Sequence, residues 1–185
     1  MTSEERIELI GEFVNTYDVE HGGDEVGTPE ALRDWLVQRD LVDAATAPDA
    51  AAHARALAVR EGIRALGRAN NDEPLDATAV AAMNRAARAT PLVVAVGAAD
   101  GGAGWQLSPG AGGVDGFVGR LLAAVTATMA DGSFSRLKAC RNDTCRWLFH
   151  DHSRNRSGTW CSMAGCGSRM KARAYRARQR SAAGA

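Results

Sequence analysis

The sequence predicts a mainly helical α+β chain: a helical N-terminal domain with one small β-hairpin, then a small four-cysteine module that ends in a basic helix. Three observations lead there. Apolar residues recur at helical spacing through most of the first 130 positions, one β-branched run interrupts them, and all four cysteines fall within residues 140–166. A chain of 185 residues has room for one ordinary domain and a small second module. Its 45% hydrophobic and 24% charged residues are the composition of a soluble globular protein.

Residues 5–17 read as a first helix, with Ile7, Ile10, Phe13 and Val14 on one face. HGGDEVG (21–27) is a loop. Thr28-Pro29-Glu30 starts the next helix, a hydroxyl cap followed by proline at the first helical position, and Leu32, Trp35 and Leu36 form its apolar face. Residues 48–68 form a long alanine-rich helix burying Ala52, Ala56, Val59, Ile63 and Leu66, ended by NNDEP at 70–74. Asp76 caps a helix to about Ala89 that buries Val80, Met83 and Ala87. PLVVAVG (91–97) is short and β-branched, so it predicts a strand. AADGGAG is its turn and WQLSP (105–109) its hairpin partner. Residues 114–131 return to helix through Phe117, Leu121, Leu122, Val125 and Met129, and ADGSF (130–134) marks the boundary of the second module.

The zero formal net charge hides a division. Residues 136–180 hold 12 Lys and Arg against two acids, a net +10, so the rest of the chain carries −10. That asymmetry points to a basic binding module attached to an acidic domain. No apolar run approaches the ~20 residues of a membrane span. MTSEERIEL is acidic where a secretory signal begins basic. The expectation is a cytoplasmic protein, off the membrane, with reduced thiols.

The cysteines follow Cys140-x4-Cys145-x15-Cys161-x4-Cys166. Two close pairs of thiolates are what a tetrahedral zinc site needs, because each pair requires only a tight loop to aim both sulfurs at one point. The intervening 15 residues can fold back as a hairpin, and glycines 165 and 167 free the backbone around the last ligand. Two disulfides, or four ordinary buried thiols, are the bland alternative. A second alternative puts His150 or His152 in place of one thiolate, although a complete four-cysteine set leaves them no vacancy. A closed four-thiolate site has no open position, so the Zn2+ is expected to be structural.

The stretch WLFHDHSRNRSGTWCSMAGCGSRMKARAYRAR resembles the CGNR zinc finger, in a pattern carried by Phe149, Asp151, Ser153, Arg154, Asn155, Ser157, Trp160, Cys161, Ser162, Met163, Cys166, Gly167, Arg169, Lys171 and Arg173. It departs at Ser168, where the name-giving Asn stands, and at Gly158-Thr159, where the family has arginines. Upstream, EFVNTYD (12–18), ALRDWLVQRDLV (31–42) and LAVREGIRAL (57–66) are similar to the ABATE domain that precedes this finger. The resemblance implies an ABATE-like domain over 1–134, a finger over 135–181 and a tail over 182–185. It also implies a stress-linked transcription regulator.

GSRMKARAYRARQR reads as a helix launched from the metal site. At ~100° per residue Arg169, Arg173, Arg176 and Arg180 share a stripe about 60° wide, Met170, Ala174 and Ala177 form a narrow apolar stripe to pack on the zinc core, and Lys171 and Arg178 flank the far side. Arg154 and Arg156 add charge from the loop between the cysteine pairs. The expected partner is nucleic acid, with double-stranded DNA preferred over RNA only through the family resemblance; the plain alternative is a solvated basic tail. Trp147, Phe149 and Trp160 are read as the finger's own small core. The first domain has no nucleophile elbow, P-loop or HExxH, so no catalytic residue is assigned. Asn15, Thr16 and Arg60 could line a pocket, but a helix cap and a surface ion pair are the simpler roles. GGAGWQLSPGAGG lacks the order of a phosphate cradle.

The resulting expectation is a DNA-binding regulator with a first domain that senses a small-molecule ligand, unnamed by the residues, or pairs chains into a homodimer. A zinc-dependent protein-interaction module, whose +10 segment docks on an acidic partner or on its own acidic domain, is the second reading. An enzyme using a first-domain pocket is the third.

Overall fold

The computed structural model describes residues 1–99 and 102–183. In chain order its elements are α1 (Ser3–Val14), β1 (Tyr17–Asp18), β2 (Gly23–Asp24), α2 (Pro29–Val37), α3 (Ala50–Ala69), α4 (Ala77–Ala89), β3 (Leu92–Ala99), β4 (Gly102–Pro109), α5 (Gly113–Ala130), a 3-10 turn (Ser133–Arg136), β5 (Leu137–Ala139), β6 (Leu148–His150), a π-turn (Met163–Gly167) and α6 (Ser168–Ala183). The chain is mainly α, with three two-stranded antiparallel sheets among the described residues.

Local chemistry sets the helix starts. Thr2 and Glu5 form a reciprocal capping box at α1. Thr28, Asp49 and Asp76 each accept from the first free N–H groups of α2, α3 and α4. The first helix is shorter than the periodicity suggests. It stops at Val14, where the Thr16 hydroxyl donates to the Phe13 carbonyl, 2.8 Å, and the chain turns into β1 to pair Tyr17 with Asp24. That small sheet also claims part of the HGGDEVG stretch expected to be loop.

The β3–β4 hairpin is longer than expected. Its ladder runs from Leu92↔Pro109 to Ala99↔Gly102, so the glycine-rich start of the second strand is paired rather than loose. The centre of the AADGGAG turn, residues 100 and 101, lies outside the described residues.

α1, α3 and α5 surround the core, in which Phe13, Trp35 and Phe117 meet edge to face at centroid distances of 5.7, 5.0 and 6.1 Å. Residues read as core in α1 and α2, and all but Leu66 in α3, are buried. In α4, Val80, Met83 and Ala87 are only half-buried and Ala86 takes the inner position. Met129 is exposed because it lies in the last turn of α5, beyond the packed helices.

The second module does not stand apart. Phe134, Leu137, Ala139 and Leu148 belong to the same hydrophobic core as the helices. The β5–β6 hairpin lies on α3 at Gly67, where a Cβ would sit 2.4 Å from Leu148 Cδ1 and 3.2 Å from the Ala139 nitrogen. Only a residue without a side chain allows that approach.

Candidate metal centre and basic face

The strand pair β5–β6 carries the first two cysteines at its tip. Leu137↔His150, Lys138↔Phe149 and Ala139↔Leu148 are the register, and the Cys140 N–H closes the loop by donating to the Trp147 carbonyl, 2.9 Å. Within the loop the Asn142 carbonyl accepts from the Cys145 and Arg146 N–H groups at 2.8 and 3.1 Å, and Arg146 takes a left-handed φ of 53°. The fold-back therefore encloses the first pair of cysteines; it does not lie between the pairs as the 15-residue interval suggested.

The second pair comes from a turn. Ser162 caps it, accepting from the Gly165 N–H at its hydroxyl, 3.1 Å, and from the Gly167 N–H at its carbonyl, 2.9 Å. The π-turn then buries Cys166 and passes straight into α6. Gly167 is constrained, since a Cβ there would lie 3.0 Å from Met163 Sδ and 3.1 Å from Trp160 Cδ1.

The sulfurs of Cys140, Cys145, Cys161 and Cys166 all lie within 4.8 Å of one another. Two of the separations are 3.7 Å (Cys145–Cys161) and 3.9 Å (Cys161–Cys166). A tetrahedron of Zn–S bonds of ~2.3 Å has edges of about 3.8 Å, so the set fits a zinc ion. The separations are also far beyond a disulfide bond of ~2.05 Å. Among the described residues no histidine donor joins this group. The His150 and His152 rings lie against each other, centroids 4.4 Å apart. Burial, followed by the positive charge of His152 and Arg136, holds His150 below its ordinary pKa.

Two donors reach the sulfurs from outside. Asn142 Nδ2 and Arg169 Nη2 lie 3.5 and 3.2 Å from Cys166 Sγ. Burial opposes ionisation of Cys166, but these N–H donors outweigh it and bring the thiol down to about 7. Cys145 is pushed up to about 11, mainly by burial, and Cys161 also rises, by burial and by the crowding of the other thiols. Four sulfurs in one small volume cannot all ionise unaided. A divalent cation held by them would neutralise that charge and cross-link the two loops, and Asn142 and Arg169 would offset the excess negative charge of four thiolates.

A polar frame fastens the module to the helices. Asn15 caps α1 and pairs with Leu148 as a strand would, its Nδ2 donating to the Leu148 carbonyl at 2.9 Å and its Oδ1 accepting from the Leu148 N–H at 2.8 Å. Arg64, 4% exposed, donates to the Arg146, Val14 and Tyr17 carbonyls. Asn70 and Asn71 reach the carbonyls of Phe134, Leu137, Ala139 and Thr159. Arg60 is also buried, clamped by both oxygens of Asp24 at 2.7 and 2.9 Å, and so corrects the expectation of a surface ion pair. Thr16, Asp24 and Glu61 engage all three guanidinium nitrogens.

Sequence reasoning missed a buried ion pair in the module. Lys138 Nζ lies 2.9 Å from Asp151 Oδ2, both side chains are buried, and the ammonium also donates to the Arg156 and Gly158 carbonyls. Burial alone would raise the Asp151 pKa. The Ser153 and Lys138 donors and the backbone N–H groups of Ser153 and Gly158 prevail and hold it well below the usual carboxylate range. Only a lysine spaced two residues before the first cysteine signals this, and nothing in the sequence names its partner.

The aromatic expectation is corrected. Trp147 is 41% exposed, Phe149 and Trp160 are half-buried, and Leu148 between them supplies the buried apolar contact. Period-two alternation puts Leu148 inward, on the face that meets α3, and its neighbours outward.

α6 leaves the metal centre with almost no cover. Met170 is half-buried, whereas Ala174 and Ala177 are exposed, so the apolar stripe anchors the helix only at its first turn. Arg169 is engaged on two sides, by Cys166 and by an ion pair with Glu20 of the first domain. Arg173 and Arg176 line a groove of about 500 Å3 with Asn142, Thr144 and Ser168. Lys171, Arg173, Arg176, Arg178 and Arg180 are exposed and make no ion pair among the described residues. Arg154 is exposed, and the exposed Arg156 guanidinium donates to the Ser135 hydroxyl at 3.3 Å.

A helical domain fused through its core to a four-sulfur module, with a protruding cationic helix, defines a two-part protein with a candidate zinc site. The comparisons place it more closely. The family model for ABATE, described as "Putative stress-induced transcription regulator", matches residues 8–132, and the CGNR zinc finger matches residues 136–179. The chain belongs to the ABATE family and carries a CGNR zinc finger. No curated protein matches it. No helix among the described residues is long and apolar enough to cross a membrane.

Proposed function

We propose that the chain is a DNA-binding transcription regulator in which Cys140, Cys145, Cys161 and Cys166 hold one structural Zn2+. The observation that carries this reading is the direct passage from Cys166 into α6. It puts Arg173 and Arg176 along an open groove and leaves the remaining cations without acidic partners among the described residues. Zinc supplies no chemistry beyond cross-linking; it fixes the loops from which the helix starts. The DNA contacts are assigned to Arg154, Arg156, Lys171, Arg173, Arg176 and Arg180. Arg169 takes a positioning role instead, since Glu20 and Cys166 already engage it. The acidic helical domain senses a ligand or pairs chains.

Six cations on phosphates give a slope of log K against log salt near −5. Retention of a duplex by the full chain, measured across salt concentrations, tests this. Each of Arg173→Ala and Arg176→Ala is expected to weaken binding and flatten the slope by about one. Unchanged binding in both variants contradicts the assignment.

The second reading, docking on an acidic protein, draws on the Arg169–Glu20 and Arg141–Asp72 contacts, in which the basic module already meets acids of the first domain. It is favoured if the chain forms a defined protein complex and shifts no duplex at physiological salt.

A further inference from the structure

The first domain holds a cavity of about 380 Å3, between the β3–β4 hairpin and α5. Its floor is the small-residue face of α5, Ala123, Ala124, Ala127 and Ala130, and its walls are Leu107 and Pro109 with Trp105 at the rim. Alanines at this spacing leave room where larger side chains would fill the groove. Trp105 is 76% exposed, a large aromatic surface with nothing over it. Two cations, Arg6 of α1 and Arg120 of α5, line the same space. Neither makes an ion pair among the described residues. Asp131, which lies within electrostatic reach of Arg6, is taken up by the Ser3 and Ser133 hydroxyls.

We propose that this cavity is a binding site for a small aromatic carboxylate, its ring between Trp105 and the α5 alanines and its carboxylate on Arg6 and Arg120. An apolar slot rimmed by an indole takes a flat ring, and a guanidinium fork matches a carboxylate bidentately. The volume lies at the low end of small-molecule sites, so it suits a ring system of roughly ten carbons. The apolar face continues along the hairpin, where Val94 and Val96 pair with Leu107 and Trp105. A second copy of the chain is the competing occupant. A two-fold contact on this face sets the same arginines against their copies, which disfavours it.

The proposal deepens the sensing half of the function given above and rests on it. α5 leads from the cavity, through the 3-10 turn at Ser133–Arg136, directly into β5. Occupancy therefore acts on the element that begins the metal module.

The test is calorimetric titration of the full, zinc-loaded chain with 1-naphthylacetate, alongside the neutral 2-(1-naphthyl)ethanol. The acid is expected to bind at least tenfold more tightly than the alcohol. Arg120→Ala combined with Arg6→Ala should cost at least tenfold, and Ala127→Phe, which fills the slot and keeps both charges, should abolish binding. Equal affinity for the acid and the alcohol, or a parent-like affinity in both variants, overturns the proposal. So does a chain dimer that Ala127→Phe dissociates while naphthylacetate fails to bind, which assigns the groove to a second copy. The titration contains no nucleic acid, so its failure and a failed duplex shift are separate results.

Discussion

Lys138 and Asp151 show how much one buried pair can decide. Removing one partner leaves a charge uncompensated in the interior, at a cost of about 3–5 kcal/mol. For a chain of this size each kcal/mol moves the melting midpoint by ~2–4 °C. Asp151→Asn is therefore expected to lower it by roughly 10 °C in a thermal melt, and Asp143→Asn, at an exposed carboxylate, by little. The native Asp151 carboxyl is held well below the ordinary range. Its stabilisation is present above the unfolded value of ~3.9 and is lost as pH falls toward the lower native one. Acid unfolding of the parent should thus steepen below about pH 4, and Asp151→Asn should show a shallower acid limb. Arg169 gives a second residue-level test. Arg169→Ala removes an N–H donor from Cys166, and loss of such outer partners typically weakens a metal site 10–100-fold. Competition with a zinc-chelating dye should show that loss in Arg169→Ala and none in Arg173→Ala. Asp151 and Arg169 were visible in the sequence as motif positions, but their partners were not, because Lys138 and Glu20 reach them only through the fold.

At the scale of elements, periodicity was a good guide where helices are covered on one side and a poor one where they protrude. Ile7, Ile10, Phe13 and Val14 sit where a 3.6-residue period puts them, and so do Phe117, Leu121 and Leu122. Ala174 and Ala177 obey the same period on α6 and are nevertheless exposed, since nothing packs along that helix beyond its first turn. A pattern shows which residues share a face; it does not supply a neighbour. Glycine carried the information about neighbours, at positions the pattern passes over. Gly67→Ala pushes a methyl group into Leu148 and the Ala139 backbone, and overpacking of this kind costs ~1–3 kcal/mol. At Gly62 the new Cβ would sit 2.4 Å from Met83 Cβ, an atom that the α4 backbone fixes, so α3 and α4 would have to move apart. Chemical denaturation should therefore place both Gly67→Ala and Gly62→Ala below the parent, and a parent-like midpoint for Gly67→Ala contradicts the docking of β5–β6 on α3.

For the whole molecule, charge and cysteine spacing pointed to a two-part chain, with its basic end gathered around one metal site. They did not reveal that the parts share a core. Leu137, Ala139 and Leu148 complete the packing of the helices, and Asn15, Arg64, Asn70 and Asn71 satisfy backbone groups of the module from the first domain. A fragment beginning at residue 135 loses all of these partners, so it is expected to hold zinc more weakly than the full chain in the same dye competition. The account as a whole depends on one ion fixing the direction of α6. Native mass spectrometry of the full, reduced chain prepared with zinc tests that dependence most directly. One zinc per chain, lost in Cys161→Ser, is the predicted result; a metal-free mass from a zinc-replete preparation contradicts it.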